Sequence, residues 1–177
     1  MSNDHKDPGF DELPTPVDVR HPHPTRPAFP DDAPEWMLHA HAELGVHEVA
    51  GEKFAPRIIE YFGATSISTS PLAGSDETAW CSAFACWCME RSGLKSPHRA
   101  NARSWMKWGD VLTTPRFGCV VVFWRGTPQS AQGHVAFYVG ESGENLQVLG
   151  GNQANSVCFS LYPKARVLGY RWPKAGA

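Results

Sequence analysis

The sequence predicts an α+β protein, helices first and an antiparallel sheet after them. Up to about residue 108, apolar residues recur at helical spacing between capping signals. After Pro115 the pattern changes to short β-branched or aromatic runs separated by Gly, Pro, Asn and Ser. The links between those runs are short, which favours antiparallel strands over parallel ones. Helices and strands segregated in this way pack as helices on one side of a sheet.

The first helix is read in "DAPEWMLHAHAELG". Asp32 is its expected N-cap, with Pro34 in the first turn, Glu35 three residues after the cap, and Gly45 as the stop. Met37, Ala40, His41 and Leu44 fall on one face. "APRIIEYFG" reads as a short second helix ending at Gly63, followed by a small, polar loop of the length that often carries function. The third helix is "DETAWCSAFACWCMERSG". Thr78 or Asp76 can cap it, Gly93 can close it in the left-handed conformation, and Cys81, Phe84, Ala85, Cys88 and Met89 form an apolar stripe. "NARSWMKWG" is a short, aromatic fourth helix. "GCVVVFWRG", "GHVAFYVGE", "NLQVLGG", "SVCFSLY" and "RVLGYRWP" are then about five strands.

A chain of 177 residues holds one domain with a real core, and 42% apolar with 19% charged residues is a globular composition. Seven prolines within the first thirty residues prevent a helix or central strand there. Residues 1–31 are therefore read as a Pro-rich flexible lead and 32–177 as the domain. The polar, acidic N-terminus lacks the charged-then-apolar order of a signal peptide, and no run has the ~18–20 apolar residues of a membrane span. The expectation is synthesis in the cytoplasm, with reduced thiols and no membrane insertion. Residues 1–92 carry 6 Lys and Arg against 15 Asp and Glu, residues 93–177 carry 10 against 3, and the net charge is −2. Such asymmetry admits a basic face for an anionic polymer, but no nucleic-acid motif accompanies it. Nucleic acid is set aside.

Five cysteines are an odd number outside any disulfide-stapled frame. Cys81, Cys86 and Cys88 share one expected helix. Cys86 and Cys88 point to different faces, and Cys81 and Cys88 lie about 10 Å apart along the axis. No tetrahedral metal can gather them, so no metal site is expected from these cysteines. Cys86, Cys88, Cys119 and Cys158 read as core filler. Cys81 differs because it stands in the first turn of its helix, after a polar loop. Free N–H groups and the positive end of the dipole there favour a thiolate, and the same groups, the Cys81 N–H among them, can hold an oxyanion.

A cysteine nucleophile needs a base and a group to orient that base. His134 opens an expected strand after a glycine, and the next strand ends in Asn152 and Gln153, both amides able to accept from an imidazole N–H. Cys81, His134 and Asn152 make a workable Cys-His-Asn order, with Gln153 in reserve. His47 and His98 remain open as other bases. Core filler for Cys81 and a surface role for His134 are the bland alternatives.

"WCSAFACWCMERSG", "SWMKWG", "GCVVVFWRG", "GHVAFYVG", "LQVLGGNQ" and the closing "GYRWP" resemble the CHAP and NlpC-type cysteine peptidoglycan hydrolases, in particular a small bacterial and phage amidase branch. That branch begins with a pattern echoed in "PEWMLHAHAELGVHE". The resemblance spans about residues 34–173. It implies a papain-like fold, with Cys81 as nucleophile, His134 as base, Asn152 or Gln153 as the orienting amide, and no cofactor. The implied substrate is a peptidoglycan amide, cut within the stem peptide or between sugar and L-alanine. Cys119 departs from an acidic residue of many relatives, and Gly150 stands where other branches have glutamate.

With no signal peptide, two roles fit such a hydrolase. One is an antibacterial toxin delivered into a neighbour's periplasm by a type VI-like machine, with an immunity protein plugging the Cys81 cleft. The other is a phage-type endolysin. Other classes are a protein-directed cysteine peptidase or deamidase and a non-catalytic wall-binding module.

Overall fold

The structure is a computed structural model that describes residues 27–49, 55–68 and 79–175. Most of the Pro-rich lead, and the proposed caps Asp76 and Thr78, lie outside the described residues. Among the described residues three α-helices come first: α1 (Glu35–Ala42), α2 (Pro56–Phe62) and α3 (Cys81–Arg91). A 3₁₀ segment, Ala102–Lys107, leads into the strands β1 (Asp110–Leu112), β2 (Val120–Trp124), β3 (Gly133–Ser142), β4 (Asn145–Gln153), β5 (Ser156–Pro163) and β6 (Val167–Trp172). The strands form one sheet in the order β1-β6-β2-β3-β4-β5, antiparallel at every pairing. The five strands expected from sequence are β2 to β6. The sixth, β1, is three residues long and too short to show a period.

Asp32 does not cap α1. The helix starts after Pro34, without a side-chain cap, because the proline fixes φ at the first turn and brings no N–H needing a partner. Gly45 does adopt a left-handed φ of +89°, three residues after the last residue of the helix, Ala42. Asn101 caps the 3₁₀ segment by accepting from the Arg103 N–H.

The expected stripe on α3 is wider than its spacing suggested. All nine residues from Cys81 to Met89 are buried, since α1 and α2 pack on one side of the helix and β3 and β4 on the other. Ala83 and Ala85, at 0% and 1% exposure, mark where neighbours come close, and a larger side chain there would overpack the core. The helix-side core takes Val120, Val122, Val135, Phe137, Leu149 and Val157 from the sheet. The alternate residues Cys119, Val121, Phe123, Ala136, Leu146 and Val148 form a second core, flanked by Tyr138, Tyr162, Val167 and Tyr170. β2 is buried on both faces, which explains why "CVVVF" runs apolar without alternation.

Candidate active site

Cys81 is the first residue of α3, directly after Trp80. The indole of Trp80 donates to the Glu48 carboxylate at 2.7 Å, which anchors this end of the helix. β4 lies against the same spot. A Cβ at Gly151 would come within 2.5 Å of the Trp80 ring and 2.7 Å of Phe84, so only glycine lets the strand pass so near the nucleophile candidate.

His134 is the second residue of β3. It is wholly buried, on the sheet face that carries the second core. Its ring stacks on Tyr162 at 4.8 Å and 14°, beside Phe123. Nε2 lies 3.1 Å from Oε1 of Gln153. The Gln153 amide nitrogen is committed elsewhere, donating to the Cys158 carbonyl at 2.5 Å. The Gln153 oxygen must therefore accept, and His134 carries its proton on Nε2. Nδ1 is left with its lone pair, and Nη2 of Arg125 stands 3.3 Å from it.

The amide that meets the imidazole is thus Gln153, the reserve reading, and not Asn152. The register between β4 and β5 runs from Gly150↔Cys158 to Gln153↔Ser156, three residues against two. Strict alternation puts Asn152 on the Gly150 face; the bulge gives that face to Gln153 instead. Asn152 absorbs the extra residue with φ +55°. Gly150 makes room, because a Cβ there would sit 2.8 Å from the Ala136 Cβ and 3.1 Å from the Gln153 oxygen.

Cys81 retains 4% exposure, and the backbone amides of Val135, Ser82 and Cys81 itself bear on its sulfur and favour the ionised form. The sequence predicts a lowered thiol pKa at this helix start; the structure gives the opposite direction. Burial pushes the thiol up, against the opposing pull of Arg125 and those N–H groups. Burial, reinforced by the Arg125 charge, lowers the His134 imidazole to about 3, with the Gln153 bond opposing. Both groups are therefore neutral near pH 7. Cys81 and His134 are not hydrogen-bonded to each other in this geometry, although the Val135 amide that bears on the thiol is one residue away from His134.

Sequence reasoning missed two side chains. Arg125, at the end of β2, acts on Cys81, His134 and Tyr162 together, and Tyr162 covers the imidazole. An arginine opening a hairpin loop carries no motif, and Tyr162 is far downstream in a strand that reads as ordinary. The two other candidate bases stand apart. His47 is exposed and bonds the Gly45 carbonyl, and His98 is exposed and pairs with Glu90. Arg99, Arg103, Lys107 and Trp108 line a separate cleft of about 570 Å³ that includes neither Cys81 nor His134. Among the described residues no cluster of His, Cys, Asp or Glu could hold a metal ion, and no helix is long and apolar enough to cross a membrane.

Residues 73–152 match the family model of the CHAP domain. Among solved structures, a Staphylococcus aureus protein described as similar to lipoprotein, NLP/P60 family, aligns with 86% of this chain at 18% identity and a TM-score of 0.49. This chain covers 45% of that protein's length. No curated protein matches the sequence.

Proposed function

We propose, on the match of residues 73–152 to the CHAP domain and its peptidoglycan-hydrolase type of function, a Cys81-dependent cleavage of a peptidoglycan amide. The observation that carries the reading is the Cys158–Gln153–His134 chain of hydrogen bonds, which fixes a neutral imidazole with its proton on Nε2 and its basic nitrogen Nδ1 turned to Arg125 rather than to an acid.

Nδ1 of His134 takes the Cys81 proton as the sulfur attacks the substrate carbonyl. The backbone N–H of Cys81 receives the developing oxyanion at the helix start. The imidazolium, held in place by the Gln153 oxygen, then protonates the leaving amine and the C–N bond breaks. Water attacks the thioester, His134 takes its proton, and the products are a carboxylate and the restored thiol. Starting from a neutral pair, this route needs no thiolate at rest, which accords with the raised thiol pKa.

Purified sacculi digested with wild type should yield new muropeptides by mass spectrometry, and Cys81→Ala should yield none. Cys86→Ala and Cys88→Ala should keep activity and lose at most stability. Full activity in Cys81→Ala would sink the assignment. The finer role we propose is that of a toxin delivered to the periplasm of a neighbouring cell and restrained by a partner over the Cys81 cleft. Growth arrest should then follow only when wild type is directed to the periplasm; equal arrest from Cys81→Ala would refute it.

A further inference from the structure

We infer that the Arg125 guanidinium is a docking point for a carboxylate of the substrate beside the scissile amide, and that the arriving carboxylate draws it off Nδ1 of His134. The inference rests on Cys81 as nucleophile and His134 as base.

Arg125 differs from other cations of the domain in what it faces. Arg57 and Lys164 meet carboxylates, while Arg103 and Arg171 are spent on backbone carbonyls. Arg125 meets a neutral imidazole nitrogen at 3.3 Å and the Tyr162 hydroxyl. Among the described residues no carboxylate pairs with it. Its backbone is nevertheless fixed: its N–H bonds the Gln132 carbonyl, and Ser130 donates to its own carbonyl. The residue is half-buried rather than enclosed, and its charge acts on the Cys81 thiol.

A planar fork with five donors is best matched by a carboxylate, and charge-assisted bonds are roughly twice as strong as neutral ones. A carboxylate that enters the site therefore outcompetes the imidazole. The exchange has a chemical consequence. At rest Arg125 occupies the lone pair that must accept the Cys81 proton; once it turns to the substrate, that lone pair is free. Stem peptides of peptidoglycan carry free carboxylates next to several of their amides, so a correct substrate supplies the group that unblocks the base.

Two small reagents isolate this recognition from the wall itself. Iodoacetate and iodoacetamide differ by a carboxylate against an amide. In each case the sulfur displaces iodide and the thiol proton passes to His134. Alkylation at Cys81 is followed by peptide mass spectrometry in the full chain, for wild type, Arg125→Gln and Arg125→Lys. The iodoacetate-to-iodoacetamide rate ratio should fall about tenfold in Arg125→Gln, the worth of one charge-assisted contact, and be largely kept in Arg125→Lys. A purely structural role would slow both reagents alike and leave the ratio unchanged, which overturns the inference. On the wall, converting sacculus carboxylates to primary amides should raise KM for wild type but leave Arg125→Gln indifferent; equal digestion of both substrates by wild type also overturns it. A Cys81 inert to both reagents, in a protein that still digests sacculi after Cys81→Ala, would instead remove the nucleophile reading and this inference with it.

Discussion

Arg57 and Arg125 each sit beside an aromatic ring and a tyrosine hydroxyl, and they differ in the partner the fold gives them. Arg57 grips Glu43 with two nitrogens at 2.7 and 2.5 Å, reaches Glu60 at 2.6 Å, and lies 4.6 Å over the Trp87 ring. Tyr61 donates to the same Glu43 oxygen at 2.6 Å. Burial alone would raise the Glu43 carboxyl, but the Arg57 and Tyr61 bonds and the Arg57 and Arg91 charges outweigh it and hold it below the ordinary value. Arg125 has a tyrosine and an imidazole but, among the described residues, no anion. The first arginine is closed by the protein itself and ties α1, α2 and α3 together. The second is left open next to Cys81. Charge satisfied within the fold serves stability, and charge left unsatisfied at a site serves a ligand.

The largest effect that separates the two is expected at Glu43. Glu43→Gln keeps the shape but strands Arg57 and weakens the Tyr61 bond. Removing one member of a largely buried pair costs several kcal/mol, and the part-exposed Arg57 reduces this to about 2–4 kcal/mol. Urea unfolding at pH 7 measures it. The iodoacetate preference at Cys81 should stay as in wild type, since that network does not touch the site. A loss under about 1 kcal/mol would mean that the helices are held by packing alone.

His134 gives the next effect, and its sign is fixed by the lowered imidazole. The folded group titrates at about 3 and an unfolded histidine near 6.5, so its contribution is complete above pH 6.5 and drains away as pH falls towards 3. Between pH 6.5 and 4.5 wild type should lose about 2–3 kcal/mol that His134→Gln does not lose. Glu43 adds its own acid loss only below 4.5, which keeps the window clean. The charged or titratable neighbours of the imidazole are Arg125, Tyr162 and Cys81, and none of them titrates as an acid in that range. Parallel pH dependence in the two proteins would show that the imidazole does not resist protonation.

Much of this contrast lay outside what the sequence could show. Strands β2 to β6 were legible because Val, Phe and Tyr runs end at glycines and polar turns. Helix α3 was legible because Cys81, Phe84, Cys88 and Met89 keep a helical period. Cys81 and His134 stood out by position, one opening a helix and the other a strand. Gln153 was only a reserve because a one-residue bulge has no signature: "GGNQ" alternates Asn152 onto the face that Gln153 in fact occupies. Arg125, Tyr162 and Glu43 were not singled out at all. Each acts through a partner far along the chain, such as Arg125 on Tyr162, and a single sequence holds no record of such pairs.

The smallest expected effect is the most diagnostic. Arg125→Met removes a part-buried charge and puts an apolar side chain of similar length in its place. It forfeits a 3.3 Å contact to a neutral nitrogen and the attraction of the charge to the Tyr162 hydroxyl. It also relieves the cost of holding a cation without an anion. These terms oppose each other, and charged groups replaced by packed apolar ones are often neutral or better. Stability at pH 7 should change by less than about 1 kcal/mol in urea unfolding. The same variant should blunt the acid sensitivity assigned to His134, because the Arg125 charge is one of the two causes that lower the imidazole. If Arg125→Met instead costs as much as Glu43→Gln, the guanidinium is a structural tie like Arg57, and the site has no charge to spare for a substrate.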